Sequence, residues 1–159
     1  MKNRIQKNFW LLKTEPDTFG IDDLKKVKVE PWSGVRNYQA RNFMMQMKKG
    51  DKCFFYHSSC EEIGIAGLCV VSKEKVVDET QFDKKSPYYD AKSTSENPRW
   101  FCVEVKFVKK FYKILTLEEI KKEAEKNSML KNLRLIQRGS RLSVQPVTEG
   151  EYKEILKTI

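Results

Sequence analysis

With 159 residues, 31 Lys and Arg against 22 Asp and Glu and a formal net charge of +9, the chain has the length of one domain and a surface field that favours anionic partners. Hydrophobic residues at 40% and charged residues at 33% exclude both a disordered chain and a membrane-embedded one. Because 24 of the basic residues are lysine, a solvated lysine coat explains the charge equally well, and charge alone does not choose a partner.

The N-terminal stretch MKNRIQKNFWLLKTEPD holds only Phe9 to Leu12 as an apolar run, too short for a secretion signal or a bilayer span. A cytoplasmic protein is expected, or a nuclear one if the source is eukaryotic. FWLLK at 9–13 reads as a buried opening strand that Glu15-Pro16-Asp17 turns. Ile21, Leu24 and Val27 recur at helical spacing and predict a short helix. After the Trp32-Ser33-Gly34 turn, Ala40, Phe43, Met44 and Met47 mark a second amphipathic helix over 38–48, stopped by Gly50-Asp51.

KCFFYH at 52–57 and GIAGLCVV at 64–71 predict an antiparallel pair of strands. The polar segment 78–99 reads as a long ordered excursion, and Trp100 to Val108 then alternates as a strand. Two capping boxes follow, Thr116 with Glu119 and Thr148 with Glu151, and each predicts a helix start. The second precedes the stripe Tyr152, Ile155, Leu156 and Ile159, and RLSVQPV at 141–147 predicts a closing strand before it. Strands from both ends and the middle of the chain, without a βαβ rhythm, predict one mixed α/β (α+β) domain over 1–159. Its expected form from this pattern is a mixed, curled sheet or a small open barrel capped by helices.

His57 is the only histidine, so a Ser-His-Asp or Cys-His mechanism has to use it. Cys53, Cys60, Cys69 and Cys102 are irregularly spaced, without a C-x-x-C pair, so reduced thiols and no metal site are expected. P-loops and G-x-G-x-x-G turns are missing as well, and no cofactor is expected. What stands out is Trp32 to Arg41, with two aromatics, two arginines, an Asn and a Gln in ten positions. Such a set can stack a base, read its edge and hold its phosphate. The same residues are also compatible with Trp32 and Tyr38 covering the core while the arginines stay solvated.

Read in order, FWLLKTEPDTFGIDDL, WSGVRNYQARNFM, GDKCFFYHSSCEEIGIAGL, FDKKSPYYDAKS, ENPRWFCVEVKFVKKF and RGSRLSVQPVTEGEY strongly resemble the EVE domain family over nearly the whole chain. The resemblance implies a PUA-like fold, a small curled β-barrel of mixed strands with flanking helices, related to YTH and ASCH domains. It also implies a non-enzymatic reader of modified cytosine or adenine in DNA or RNA. Trp32 and Ser33 fall where YTH readers carry the Trp-Ser pair of their methyladenine pocket, and Ser33 stands where many EVE members carry Asp. The base pocket is therefore expected from Trp32, Ser33, Val35, Asn37, Tyr38, Tyr56, His57, Ser58 and the Pro87-Tyr88-Tyr89 loop, with Lys13, Arg36, Arg41, Arg99 and Arg138 on phosphates. Trp32→Ala is expected to weaken binding while leaving the thermal transition largely intact. The alternatives are an enzyme acting on a nucleobase or nucleotide with His57 as general base, and a protein-interaction module along the basic edge from Lys106 to Lys113.

Overall fold

The computed structural model describes residues 7–159; residues 1–6, which begin the N-terminal stretch considered above, lie outside the described residues. In chain order the elements are β1 (Phe9–Thr14), α1 (Pro16–Phe19), α2 (Ile21–Val27), β2 (Val29–Pro31), α3 (Tyr38–Gln46), β3 (Lys52–His57) and β4 (Gly64–Val77). They continue with β5 (Phe101–Thr116), α4 (Leu117–Lys126), β6 (Val144–Val147) and α5 (Glu149–Lys157).

The apolar runs FWLL and CFFY form β1 and β3, which pair in parallel inside the sheet, between β4 and β6, with Thr14 opposite His57. Every residue from Phe9 to Leu12 and from Cys53 to Tyr56 is buried, as strands covered on both faces require. Trp10, Leu12, Cys53 and Phe55 pack with Ile21 and Leu24 of α2 and with Ala40 and Met44 of α3. Phe9, Leu11, Phe54 and Tyr56 pack on the opposite face with Ile120 of α4 and with Tyr152 and Ile155 of α5. Fully burying a Leu or Phe side chain stabilises the fold by roughly 1.5–3 kcal/mol, and the sheet carries such residues on both sides.

This two-sided burial corrects the expected barrel. The strand order is β2-β5-β4-β3-β1-β6, so β2 and β6 are edges that do not meet, and the sheet is open. Closing a barrel sets one face of each strand inside and the other outside, whereas β1 and β3 are apolar on both and take helices on both. β2 has no counterpart among the strands expected from the sequence: VEP is three residues long with no buried member, and it is held by pairing Val29 with Lys106 and Pro31 with Glu104. β4 and β5 run further than their apolar segments because they pair with each other through four register irregularities. Gly67 permits one close approach, since a Cβ there would lie 2.3 Å from the Lys109 carbonyl oxygen.

Both expected capping boxes are present, with Thr116 and Thr148 accepting from the backbone N–H of Glu119 and Glu151. The 78–99 excursion is ordered from within by Gln81, which is fully buried. Its amide donates to the carbonyls of Asp78 and Trp100, and its oxygen accepts from the Ser93 hydroxyl and the Arg99 and Trp100 N–H groups. A buried side chain that satisfies this much backbone lets an irregular segment hold one shape. All four cysteines are free thiols. Among the described residues no helix is long and apolar enough to cross a membrane.

Candidate functional site

A cleft of about 800 Å³ opens over the carboxyl ends of β1 and β3. Lys13, Thr14 and Glu15 line it from β1, Ser58 and Ser59 from the residue run after β3, and Ser140, Arg141 and Ser143 from the approach to β6. Trp32 to Asn37 and the ring of Tyr88 close the other side. The Ser58 N–H donates to the Thr14 carbonyl at 2.9 Å, which ties the two strand ends together below the cleft.

The tryptophan turn is held by its backbone. The Trp32 N–H donates to the Val103 carbonyl at 2.7 Å and the Gly34 N–H to Asp78 Oδ2 at 2.8 Å. Gly34 has φ +89°, and a Cβ there would lie 2.7 Å from Tyr88 Cε2. Glycine is thus needed twice, for the left-handed backbone and for the Tyr88 ring that packs over it. Asp78 also accepts from the Thr80 N–H and hydroxyl and pairs with Arg36 at 3.0 Å. Burial pushes the Asp78 carboxyl up, but the hydrogen bonds from Thr80, Arg36 and Gly34 and the Arg36 charge outweigh it and hold the group below its usual range.

Trp32 is only 7% exposed. Phe55 meets it edge-on at 5.4 Å and Phe19 at 6.4 Å, so it belongs to the core and presents a narrow surface to the cleft. The expectation that Trp32→Ala leaves thermal stability largely intact is corrected by this packing. Asn37 caps α3 with its carbonyl oxygen, accepting from the Ala40 N–H, which leaves its amide N–H groups for the cleft. Burial pulls the Lys13 ammonium below its usual pKa and raises the Glu30 carboxyl.

Of the residues expected in a base pocket, the cleft gathers Trp32, Ser33, Val35, Asn37, Ser58 and Tyr88, with Lys13 and Arg36 beside them. The others lie elsewhere. Tyr56 is buried on the α4 and α5 side of the sheet, where burial and then Cys60 push its phenol up to about 12. His57 is buried, and its Nε2 accepts from the Ile21 N–H at 3.1 Å. That lone pair is engaged in fixing the start of α2, so it is not presented as a general base. Tyr89 does not line the cleft.

Tyr38 turns away because α3 begins there. Its ring stacks on Trp100 at 5.0 Å and 17°, with Arg41 4.8 Å over Tyr38 and Arg36 5.0 Å over Trp100. Arg99 joins this stack by donating to the Tyr38 hydroxyl and pairing with Asp90 at 3.3 Å. The phosphate roles expected of Arg36, Arg41 and Arg99 meet a physical obstacle in these contacts. Arg36 directs all of its N–H groups to Tyr88 O, Val35 O, Asp78 and Thr80, and Arg41 bonds to Asn42 and the Arg99 carbonyl. Arg138 lies outside the cleft, in an adjoining groove. Arg141, Ser140, Ser143 and the organising Asp78 were not anticipated. Among the described residues no group of three or more His, Cys, Asp or Glu is placed to hold a metal ion.

An open sheet with helices on both faces, and a large aromatic and polar cleft over its parallel strand ends, define a small α+β domain with a candidate ligand site. The chain belongs to the EVE domain family, whose model matches residues 8–158. It is similar to thymocyte nuclear protein 1 of Danio rerio, with 46% identity over 162 residues, 92% of this chain and 70% of that protein. A crystal structure of a Pseudomonas syringae protein matches with 47% identity and a TM-score of 0.88, over 94% of this chain and 98% of that one. Human thymocyte nuclear protein 1, solved in complex with DNA containing 5-methylcytosine, matches with 42% identity and a TM-score of 0.90, over 96% of this chain and 97% of that one. The cytoplasmic location expected from the sequence is corrected here, because these vertebrate relatives are named as nuclear proteins.

Proposed function

We propose that the chain binds DNA carrying a modified base, 5-methylcytosine being the first to test, and that the cleft receives that base after it leaves the stack. The observation that carries the reading is a single cleft that brings together Trp32, the Tyr88 ring, Ser33, Ser58 and the Asn37 amide. Aromatic walls accept any base face, and hydroxyl and amide groups can donate to or accept from its edge. The fixed Trp32 turn supports it further, since walls that are already ordered lose little freedom on binding. A base methyl removed from water inside the cleft contributes about 0.8 kcal/mol, or about fourfold in Kd.

Fluorescence anisotropy with matched oligonucleotides, one carrying 5-methylcytosine and one cytosine, tests the reading. The modified strand is expected to bind about fourfold tighter or better. Tyr88→Ala, a change at an exposed ring, is expected to weaken it by roughly 5- to 150-fold, the value of one stacking partner. Equal binding of the two oligonucleotides would sink the proposal.

A further inference from the structure

Beside the cleft runs a second depression of about 430 Å³, lined by Arg134, Arg138, Arg141, Asn37, Gln39 and Gln137 together with the 139–143 loop. We infer that this groove is a track for the phosphodiester backbone of the strand whose base enters the cleft, a reading that rests on the proposed base site. Asn37, Ser140, Arg141 and Ser143 line both depressions, so they are continuous. A strand with a base in one has its neighbouring phosphates within reach of the other.

The groove is cationic without compensation. Among the described residues no Asp or Glu lines it. Among the described residues none of its three guanidinium groups has an ion-pair partner, whereas Arg36 and Arg99 each pair with an aspartate. Arginine forks match phosphate oxygens two at a time, and the flanking amides of Asn37 and Gln39 add neutral donors.

The groove is also held in shape. Arg134 lies 5.2 Å over the Phe43 ring. Gln145, 1% exposed, donates from its amide to Ser140 Oγ and to the Leu142 carbonyl. Gln137 donates to the carbonyls of Lys131 and Leu133, and Gly139 turns the chain between Arg138 and Arg141 with φ +77°. An acidic peptide would satisfy the charge, but continuity with a base-sized cleft and the neutral amide donors favour a nucleic-acid strand.

The test is the salt dependence of binding to a duplex carrying 5-methylcytosine, comparing the wild-type chain with the double variant Arg138→Gln, Arg141→Gln. Both side chains are exposed, so the melting temperature is expected to hold, and a circular dichroism melt verifies it. Removing one arginine from a phosphate lowers the slope of log K against log salt by about 0.9, so the double variant is expected to flatten it by about 1.8. Affinity for modified and unmodified duplex should fall by the same factor, because phosphates carry no base identity. A slope unchanged in the double variant overturns the track. So does an equal flattening in Lys121→Gln, Lys122→Gln, exposed positions on α4 across the sheet, or displacement of the duplex by polyglutamate at equal charge concentration. Failure of the base reading looks different: the wild-type chain would bind modified and unmodified duplex alike, while the double variant still flattened the slope.

Discussion

Trp32 occupies two environments at once, and replacing it separates them. Its side chain is 7% exposed and wedged edge-on between Phe55 and Phe19, with Ala40, Met44 and Val103 in the same cluster. Truncating a buried Trp to Ala costs about 3–5 kcal/mol, through reduced apolar burial and the cavity left behind. For a chain of this length each kcal/mol lowers the melting temperature by about 2–4 °C, so Trp32→Ala should lower it by roughly 6–20 °C. Trp32→Phe keeps an aromatic ring against Phe55 and loses the larger indole face, so its melting temperature should fall by less than half as much. If the cleft face of the indole also stacks a base, Trp32→Phe should weaken 5-methylcytosine binding by more than its stability loss explains, measured well below its melting temperature. Scanning calorimetry and anisotropy on the two variants decide the matter. A Trp32→Ala protein that melts within about 3 °C of wild type would refute the core assignment, since that loss is no more than about half the smallest expected from its packing.

Asp78→Ala removes the acceptor shared by Gly34, Arg36 and Thr80. Breaking a buried pair this way should cost about 3 kcal/mol and loosen the Tyr88 ring from the turn, visible as a lower denaturation midpoint and a loss of base selectivity. His57 gives a pH dependence of defined sign. Burial, the largest influence, holds the imidazole below its ordinary 6.5, so in the interval between the two values the unfolded chain binds more protons. Its contribution to stability is complete above the unfolded value near 6.5 and is lost as pH falls from there through the folded value. Urea melts from about pH 7.5 to about pH 5 should show that decline in the wild-type chain and a shallower one in His57→Gln, whose amide can still accept from Ile21; equal declines would assign the titration elsewhere.

How far the sequence reveals these features depends on how local their causes are. β1 and β3 are legible because FWLL and CFFY leave no polar face, and α2 to α5 because their apolar spacing and capping boxes sit within a few residues of one another, whereas α1 reads as a turn. That same two-sided apolarity argues for an open sheet with two helical layers, and the expectation of a barrel did not use it. β2 carries no signal of its own, since its three residues are strand only by virtue of Lys106 to Glu104 opposite them.

The split of the Trp32 to Arg41 stretch was available in one residue. Asn37 is a good helix cap, and a cap there divides a loop ending at Arg36 from a helix that rotates Tyr38 and Arg41 toward Trp100. Arg134, Arg138 and Arg141 fall within eight positions, a density that could have been read as a patch. Asp78 had no such mark. It is one aspartate in a polar run, and only the approach of the Gly34 turn, 44 positions away in sequence, gives it a role.

The position of the cleft follows from the direction of two strands. Antiparallel neighbours such as β3 and β4 can be joined by a short connection that covers the sheet end. β1 and β3 are parallel and stop in register, so both run out at the same end of the sheet, and β1 reaches β3 only through the long connection over 15–51, while β3 turns back to β4 through residues 58–63. One departs through Glu15 into α1, the other through Ser58 and Ser59 toward β4, and a gap stays open between them. Ligand sites in open sheets gather at such carboxyl ends for this reason. The gap alone would be filled by water and has no preference for a base. Preference requires walls that stay in place when water is excluded, and the Asp78 network supplies them by fixing Gly34, Arg36 and the Tyr88 carbonyl as one unit. A chain that kept the parallel pair and lost Asp78 would keep the cleft and lose its selectivity, which separates what the fold provides from what the site adds.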